Sequence, residues 1–536
     1  MINPRARPCE ELFVRAVGGR SSCTKRQQPW VLTAAVLAST MAFVDESVVN
    51  IALPAMEKDL AASLATMQWV VNAYTLGLAA LLLTGGAAGD QFGRRKIFTL
   101  GLAIFAVTSL GCGLASNSLM LIACRGAQGL GAAFLIPSSL ALIGAAFEES
   151  ERGRAIGIWS GTTALAAGLA PLLGGWLVDH WSWRVIFLIN PVLSLPAFWI
   201  VFRHIPESRD PMADRHLDWR GTLLAFGGLA SFVFGLIAAS ELGWGNSLVL
   251  GSIAVGIVLL GGLLWQEWRS PAPMMPLGLF RSPNFCGVNL LTLLLYGALG
   301  GAFFFLPFAF IQLHGYSAAG AGAAFLPFTL ILGVLSRWSG GLLDRLGPRL
   351  PLIAGPCVTA LGLLLLALPG AGGAYWTTFF LPMLIIGFGM AVTVAPLTAT
   401  VLNAVAARQT GTASGINNAV ASVASLLAVA VLGTIAISTF DRSLDRHLDV
   451  MGASAEVRHS VDAMRGGFVA TATPGPMSEA VAQAVHGVVN ESLLETFRLV
   501  VLIAAGLAFA AALSAALTIR GSGAEPSPLE ARPSPT

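Results

Sequence analysis

Two acids stand side by side in an otherwise apolar run, Asp45 and Glu46 within Val44-Asp45-Glu46-Ser47-Val48-Val49-Asn50-Ile51-Ala52-Leu53-Pro54. An acid inside a bilayer costs roughly 2.5–3.5 kcal/mol on insertion scales, so it normally faces a cavity or a partner and marks function. A carboxyl group in apolar surroundings can also take up and release a proton near neutral pH. Neighbouring residues on a helix point about 100° apart, so the two acids cannot share one direction. Glu46 faces either a cavity, where it and Asn50 would meet a cationic compound, or an adjacent helix. A second charge of this kind is Arg125, in Leu121-Ile122-Ala123-Cys124-Arg125-Gly126-Ala127-Gln128-Gly129. An arginine at such depth requires a partner, and Asp45 lies at a similar distance from the same membrane face. Asp45, Glu46 and Arg125 are therefore the candidate proton-coupling group.

The elements that must hold these residues are membrane-spanning helices. The chain has 536 residues, 55% hydrophobic and 11% charged, with mean hydropathy +0.75. A soluble domain carries about 25% charged residues. A bilayer core needs about 20 apolar residues in helical form, and runs of that length fall at 30–54, 68–89, 97–116, 118–141, 155–178, 184–202, 220–240 and 247–266. Six more follow at 285–311, 317–341, 350–370, 375–402, 411–437 and 497–519. The fold expected is all-α, a polytopic membrane protein of about 14 helices, in which the run 285–311 has room for a kink. Most lysines and arginines then gather on the side of the N-terminus. The opposite side receives Lys58, Arg184, Arg442, Arg446, Arg458, Arg465 and Arg498, four of them (Arg442, Arg446, Arg458 and Arg465) within one long loop, 438–496. The positive-inside rule places both termini in the cytoplasm. The first 29 residues are polar and Arg-rich with no apolar core, so they do not read as a cleavable signal.

One segment occurs twice. Gly86-Ala87-Ala88-Gly89-Asp90-Gln91-Phe92-Gly93-Arg94-Arg95 follows the second span, and Gly340-Gly341-Leu342-Leu343-Asp344-Arg345-Leu346-Gly347-Pro348-Arg349 follows the tenth. Both read Gly-x-x-x-Asp-x-x-Gly-x-Arg. With the seventh and eighth spans set aside as an insertion, the copies occupy equivalent places in two six-helix halves, the duplication typical of transporters. The glycines permit a tight turn, and Asp90 is expected at the N-terminus of the following helix, where the dipole favours an anion. The segments expected are a cytoplasmic tail 1–29, a bundle 30–202, a linker 203–284 carrying the inserted pair, a bundle 285–519 and a cytoplasmic tail 520–536.

These residues resemble the major facilitator superfamily and, within it, the fourteen-helix drug:proton antiporter family, over nearly all of 30–520. The segment from Gly86 to Lys96 is similar to the superfamily's signature loop. The resemblance implies that Gly86, Asp90, Gly93, Arg94 and Arg95, with Asp344, Arg345 and Arg349 of the second copy, act as a conformational latch between the halves. Gln91 replaces a basic residue usual there. Val44 to Pro54 looks like the segment that marks the drug antiporters, with Asp45 the better match to its acid, and Arg125 matches the arginine associated with proton transfer. Gly157, Pro171, Gly174 and Gly175 resemble the antiporter motif of the fifth helix, a packing and hinge element, although Ala166 and Ala170 replace two of its glycines. Two further segments, Trp183 to Pro191 and Arg408 to Asn418, look like the fourteen-helix branch in particular.

The function implied is export of small, largely apolar or cationic drugs in exchange for protons, from the cell (inner or plasma) membrane. The alternatives are a dedicated exporter of one metabolite or antibiotic, and a non-transporting membrane sensor or scaffold. The expected partners are drugs, protons and membrane lipid, not nucleic acid; periplasmic adaptors or an outer-membrane channel are left unassigned. No cofactor is expected, the proton gradient supplying energy. The chain has no GxxxxGK[ST] loop for a nucleotide, and no nucleophile–base pair to suggest an enzyme. Cys112, Cys124, Cys286 and Cys357 sit in apolar runs without metal-ligand spacing and read as small hydrophobes. Arg337 reads as snorkelling to headgroups, His314 as a loop residue, and aromatics such as Trp69, Tyr74, Phe303, Phe304 and Phe305 as packing or cavity lining.

Overall fold

A backbone that crosses lipid must satisfy its own hydrogen bonds, and a helix does so within one segment. The computed structural model describes residues 25–209, 217–270, 273–370, 372–406, 409–462 and 479–519, which contain helices and no strand. Both termini, Cys9, Cys23, Arg408 and Arg465 lie outside the described residues. Among the described residues, fourteen helices are long and apolar enough to cross a membrane. They are α1 (Gln28–Asp59), α2 (Leu64–Phe92), α3 (Arg94–Gly113), α4 (Ser118–Ala146), α5 (Glu149–His180), α6 (Val185–His204), α7 (Trp219–Leu242) and α8 (Ser247–Arg269). After these come α9 (Pro283–Phe308), α10 in two pieces (Ala318–Ala323 and Leu326–Gly340), α11 (Arg349–Leu366), α12 (Phe380–Asn403), α13 (Thr410–Val450) and α14 (Glu479–Thr518).

Polar caps fix several of the starts. Ser63, Asn117, Asp218, Asn246 and Ser282 each accept a backbone N–H from the first turn of the helix that follows, satisfying a donor that has no partner within the helix. In the run 285–311, where a kink has room, a π-helical turn, Ala309–Leu313, continues α9 just beyond Pro307.

The duplication read in the sequence is repeated in the packing. In the first half α2 packs on α4, α3 on α4, α1 on α5, α3 on α6 and α1 on α6. In the second half α10 packs on α12, α11 on α12, α9 on α13, α11 on α14 and α9 on α14. Each contact recurs eight helices later, six with α7 and α8 set aside. α7 lies against α2 and α13, one from each half. Trp69 of α2 meets Phe234 of α7 at 6.3 Å, and Thr434 of α13 donates to the Leu236 carbonyl at 2.6 Å. α8 packs on α7 and leaves most of its own side chains exposed.

The described residues of the loop expected over 438–496 are largely helical. α13 runs on to Val450, α14 begins at Glu479, and a short helix, Ala455–Asp462, packs on α14. The expected boundary of α13 follows the end of its apolar run, but a helix can continue as a polar structure. Here Ser443 donates to Glu495 at 2.6 Å, Arg446 pairs with Glu495 at 3.2 Å and His447 lies 3.2 Å from Glu491, so the two extensions brace each other.

The halves touch along α2–α13 and along α5–α10. The α5–α10 crossing is tight at the end away from Asp90. A Cβ on Gly175 would collide with the Ala318 backbone, one on Gly322 with the Pro171 backbone, and one on Gly168 with Thr329. Toward the Asp90 end the contact is lost: Gly157, Gly161 and Gly333 face open space, and Val334 is 73% exposed. The molecule is thus open toward Asp90 and shut at its other end along this seam.

Candidate functional site

Asp45 and Arg125 meet in the interior of the first half. Asp45 is 2% exposed and Arg125 1%, and their side chains form a buried ion pair through Arg125 Nη1 and Asp45 Oδ2. The other carboxylate oxygen accepts from Gln128 Nε2 at 2.9 Å and from Asn190 Nδ2 at 3.0 Å. Those two amides also reach the Ser109 hydroxyl, at 3.3 and 3.0 Å, and Ser109 donates to the Phe187 carbonyl at 2.9 Å. The guanidinium donates through Nε to the Val70 carbonyl at 3.1 Å and through Nη1 to Gln128 Oε1 at 2.8 Å. Its central carbon lies over the Tyr74 ring, 4.3 Å from the centroid. Five helices, α1, α2, α3, α4 and α6, converge on this one pair.

The arrangement answers the cost of burying charge. Separated from water, both ions need partners for their remaining lone pairs and protons, or the desolvation penalty outweighs their attraction. Three side-chain donors on the carboxylate, with a carbonyl and a ring on the cation, supply them. Asp45 and Arg125 are expected from the sequence, but Ser109, Gln128 and Asn190 are not. A buried polar residue in each of three apolar spans is the signal that points to them, because lipid tolerates an amide poorly. Tyr74, read as packing or cavity lining, stacks on the arginine, and its hydroxyl donates to the Ala42 carbonyl at 3.2 Å.

Glu46 points elsewhere. It is half-buried, on a stripe of α1 with Phe43, Ser47 and Asn50, and its carboxylate makes no hydrogen bond or ion pair among the described residues. α1 is surrounded by α2, α4, α5 and α6 of its own half and by α9 and α10 of the other. Its half-buried stripe therefore belongs to a helix that lies where the two halves meet. Asn50 donates to the Glu46 backbone carbonyl at 3.4 Å. In the second half, Phe303 of α9 meets Phe325 and Phe328 edge-on at 5.4 and 5.0 Å.

The signature loop is held within its own half. Asp90 lies in the last turn of α2, not at the start of α3 as expected, and its carboxylate receives Arg94 Nε at 2.8 Å. The α2 helix continues through Asp90 because Gly93, at φ +117°, is the residue that turns the chain. Glu207, following α6, accepts the Arg95 backbone N–H at 3.1 Å, and the Ser208 carbonyl accepts that of Arg94 at 2.9 Å. In the second copy Arg345 is exposed and Arg349 donates to the Ala516 carbonyl of α14 at 2.8 Å; the Asp344 side chain lies outside the described part. Gly86 lies 3.5 Å, measured from a Cβ it would carry, from Pro137 of α4. The bonds of both copies thus stay inside their own bundles while the α5–α10 seam is open at this end. Substituting Gly93 by Ala would force a side chain into a left-handed turn and against Glu207. A loss of about 1–2 kcal/mol is expected, read as a lower melting temperature in detergent.

The four residues of the helix-five motif divide in two. Gly174 packs on Val48 of α1, and Gly175 and the Pro171 carbonyl meet α10 at the tight crossing, whereas Gly157 faces open space. His314 follows the π-turn of α9 and stacks edgewise on Phe379 at 4.7 Å. Burial there pushes its imidazole below the usual range, against a backbone hydrogen bond to Gly372 that raises it. Cys112, Cys124, Cys286 and Cys357 are free thiols.

Duplicated six-helix bundles meeting at a wedge, with a charged pair deep in one of them, define a polytopic membrane transporter. The sequence profile of the Major Facilitator Superfamily matches residues 35–429, and the chain belongs to that family. It is 34% identical over 429 residues to the "Multidrug resistance protein Stp" of Mycobacterium tuberculosis (strain CDC 1551 / Oshkosh), covering 79% of each chain. It is 33% identical over 515 residues to the "Tetracenomycin C resistance and export protein" of Streptomyces glaucescens, covering 94% of each. Among solved structures it is similar in fold to a bacterial homologue of the human lysosomal transporter Spinster in an inward-facing, unoccupied conformation, at TM-score 0.61 and 18% identity, covering 94% of this chain and 100% of that one. The POT family transporter PepTSo aligns at TM-score 0.62 and 15% identity over 92% of this chain and 98% of that one.

Proposed function

We propose that this chain exports small, largely apolar or cationic compounds across the cell (inner or plasma) membrane in exchange for protons. The observation that carries the reading is the pair of adjacent acids with divided surroundings: Asp45 sealed against Arg125, Glu46 half-buried with no hydrogen-bond or ion-pair partner for its carboxylate among the described residues. With both termini in the cytoplasm the Asp90 end is the inner end, and the structure is the inward-facing state. In that state Asp45 has given its proton up and is held by Arg125, Gln128 and Asn190. When the outer side opens, Asp45, together with Glu46, takes a proton and the compound leaves. Coupling requires that proton and cargo each bind the two states differently, and in this reading a change of partners around Asp45 would provide the difference. The bundles are assigned to 30–202 and 285–519, with the inserted pair in 203–284, and the chain acts as a carrier without cofactor or covalent chemistry.

A narrower reading is export of one antibiotic or metabolite. It is favoured by relatives such as the tetracenomycin C exporter and the "Cephamycin export protein CmcT" of Amycolatopsis lactamdurans, 35% identical over 424 residues. The test is accumulation of fluorescent dyes and of a panel of antibiotics in cells lacking their own pumps, with and without a proton uncoupler. Lowered accumulation of many compounds, restored by the uncoupler, is the expected result. Protection against a single compound would select the narrower reading. Accumulation unchanged for every compound would point to a non-transporting membrane protein and overturn both.

A further inference from the structure

At the shut end of the α5–α10 crossing, the Asp179 carboxylate bridges the halves. One oxygen accepts the backbone N–H of Ala318 at 2.9 Å and the other that of Ala319 at 2.7 Å. These amides open α10, where the helix itself offers them no acceptor; the next donor, Gly320 N–H, is taken by Ser317 Oγ at 3.1 Å. Two of the basic groups near this end are engaged elsewhere. Arg184 pairs with Asp59 at 2.6 Å, and His180 bonds the Trp176 carbonyl at 2.9 Å and stacks on its ring. Among the described residues no Lys, Arg or His forms an ion pair with Asp179. The contrast with Asp90 is chemical. Asp90 finds Arg94 four residues on, a partner within its own half. Asp179 finds both its donors on the opposite half, so its bonds exist only while this end is shut.

We propose that Asp179 is the latch of the outer gate, a positioning residue that holds α10 against α5 until the seam parts in each transport cycle. The inference rests on the alternating-transporter reading for its place in a cycle, but the latch itself is a statement about conformation and is tested without transport. Charge-assisted hydrogen bonds of this kind are the strong ones. In Asp179→Asn one of the two acceptors becomes an N–H that confronts an N–H, while size is unchanged.

The experiment uses the full chain in intact cells with a reporter thiol, Ala321→Cys, at a fully buried position of α10 beside the crossing. Its rate of labelling by a membrane-impermeant maleimide applied from outside is measured against the parent chain, which reports the native cysteines. Asp179→Asn is expected to raise that rate about tenfold or more, and Asp179→Glu to restore much of the protection. Ala318→Pro removes one donor instead of the acceptor, at a first-turn position that tolerates proline, and is expected to raise the rate by a smaller factor. Combined with Asp179→Asn it should add little, because both changes break the same interaction. A labelling rate for both single variants equal to that of the reporter alone, with melting temperatures unchanged, would overturn the latch. If Asp179→Asn fails to fold, Ala318→Pro decides alone. Raised labelling in a chain that exports nothing would keep the latch and refute the transport reading.

Discussion

Replacing Asp45 by Asn is expected to abolish uncoupler-sensitive efflux and to lower stability, and the two losses can be separated. Removing one member of a buried ion pair leaves the other charged and uncompensated, at a cost of about 3–5 kcal/mol. The amide introduced by Asp45→Asn would keep contacts to Gln128 and Asn190, but Arg125, 1% exposed, would have no anion. The double substitution Asp45→Asn with Arg125→Gln removes the stranded charge, so most of the melting temperature is expected to return. Efflux is not expected to return with it, because no carboxyl remains at this place to carry the proton. Melting in detergent and dye efflux in cells, measured on the parent chain and both variants, check this. If the double variant regains uncoupler-sensitive efflux, the pair is structural and the coupling acid lies elsewhere, with Glu46 the next to test by Glu46→Gln.

Gly322→Val is expected to shift the balance between states by about thirtyfold while leaving the protein folded. Its Cβ would meet the Pro171 carbonyl and the Leu172 backbone, atoms that cannot step aside as a side chain would. Overpacking costs about 1–3 kcal/mol, and each 1.4 kcal/mol is a factor of about ten. The strain exists only while the crossing is closed, so it acts on the distribution of states more than on folding. External labelling at the outer end should rise, and export should fall because the carrier returns slowly to the inward-facing state. Gly157→Ala is the matching control: its Cβ would enter open space, and neither labelling nor stability should change. Equal effects from the two substitutions would contradict the wedge-shaped opening.

Much of this architecture is legible in the chain because membrane spans announce themselves by length and hydropathy. All fourteen runs correspond to helices, and the repeat of Gly86 to Arg95 at Gly340 to Arg349 points to the duplication that packing displays. The features that are not legible depend on three-dimensional neighbours. The apolar run of α13 ends near Ile437 while its helix persists to Val450, since Glu495 and Glu491 of α14 receive its polar residues. Asp90 closes α2 rather than opening α3, a matter of where Gly93 turns the chain. Ser109, Gln128 and Asn190 lie on three separate helices, and only their convergence on Asp45 gives them a role. Asp45 and Arg125 stand out in the sequence because a charge in an apolar run is costly wherever it sits.

The braced extensions of α13 and α14 have a mechanical consequence. At 1.5 Å per residue, 41 residues make a rod about 60 Å long, roughly twice the thickness of the hydrocarbon slab. A rigid rod fixed in one bundle is a lever whose far tip magnifies the bundle's tilt. If the second half rocks by about 10° around a pivot in the bilayer, a tip roughly 45 Å away sweeps about 8 Å. A fluorophore near Met451, exposed at that tip, would follow the rocking of a helix bundle from well outside the lipid.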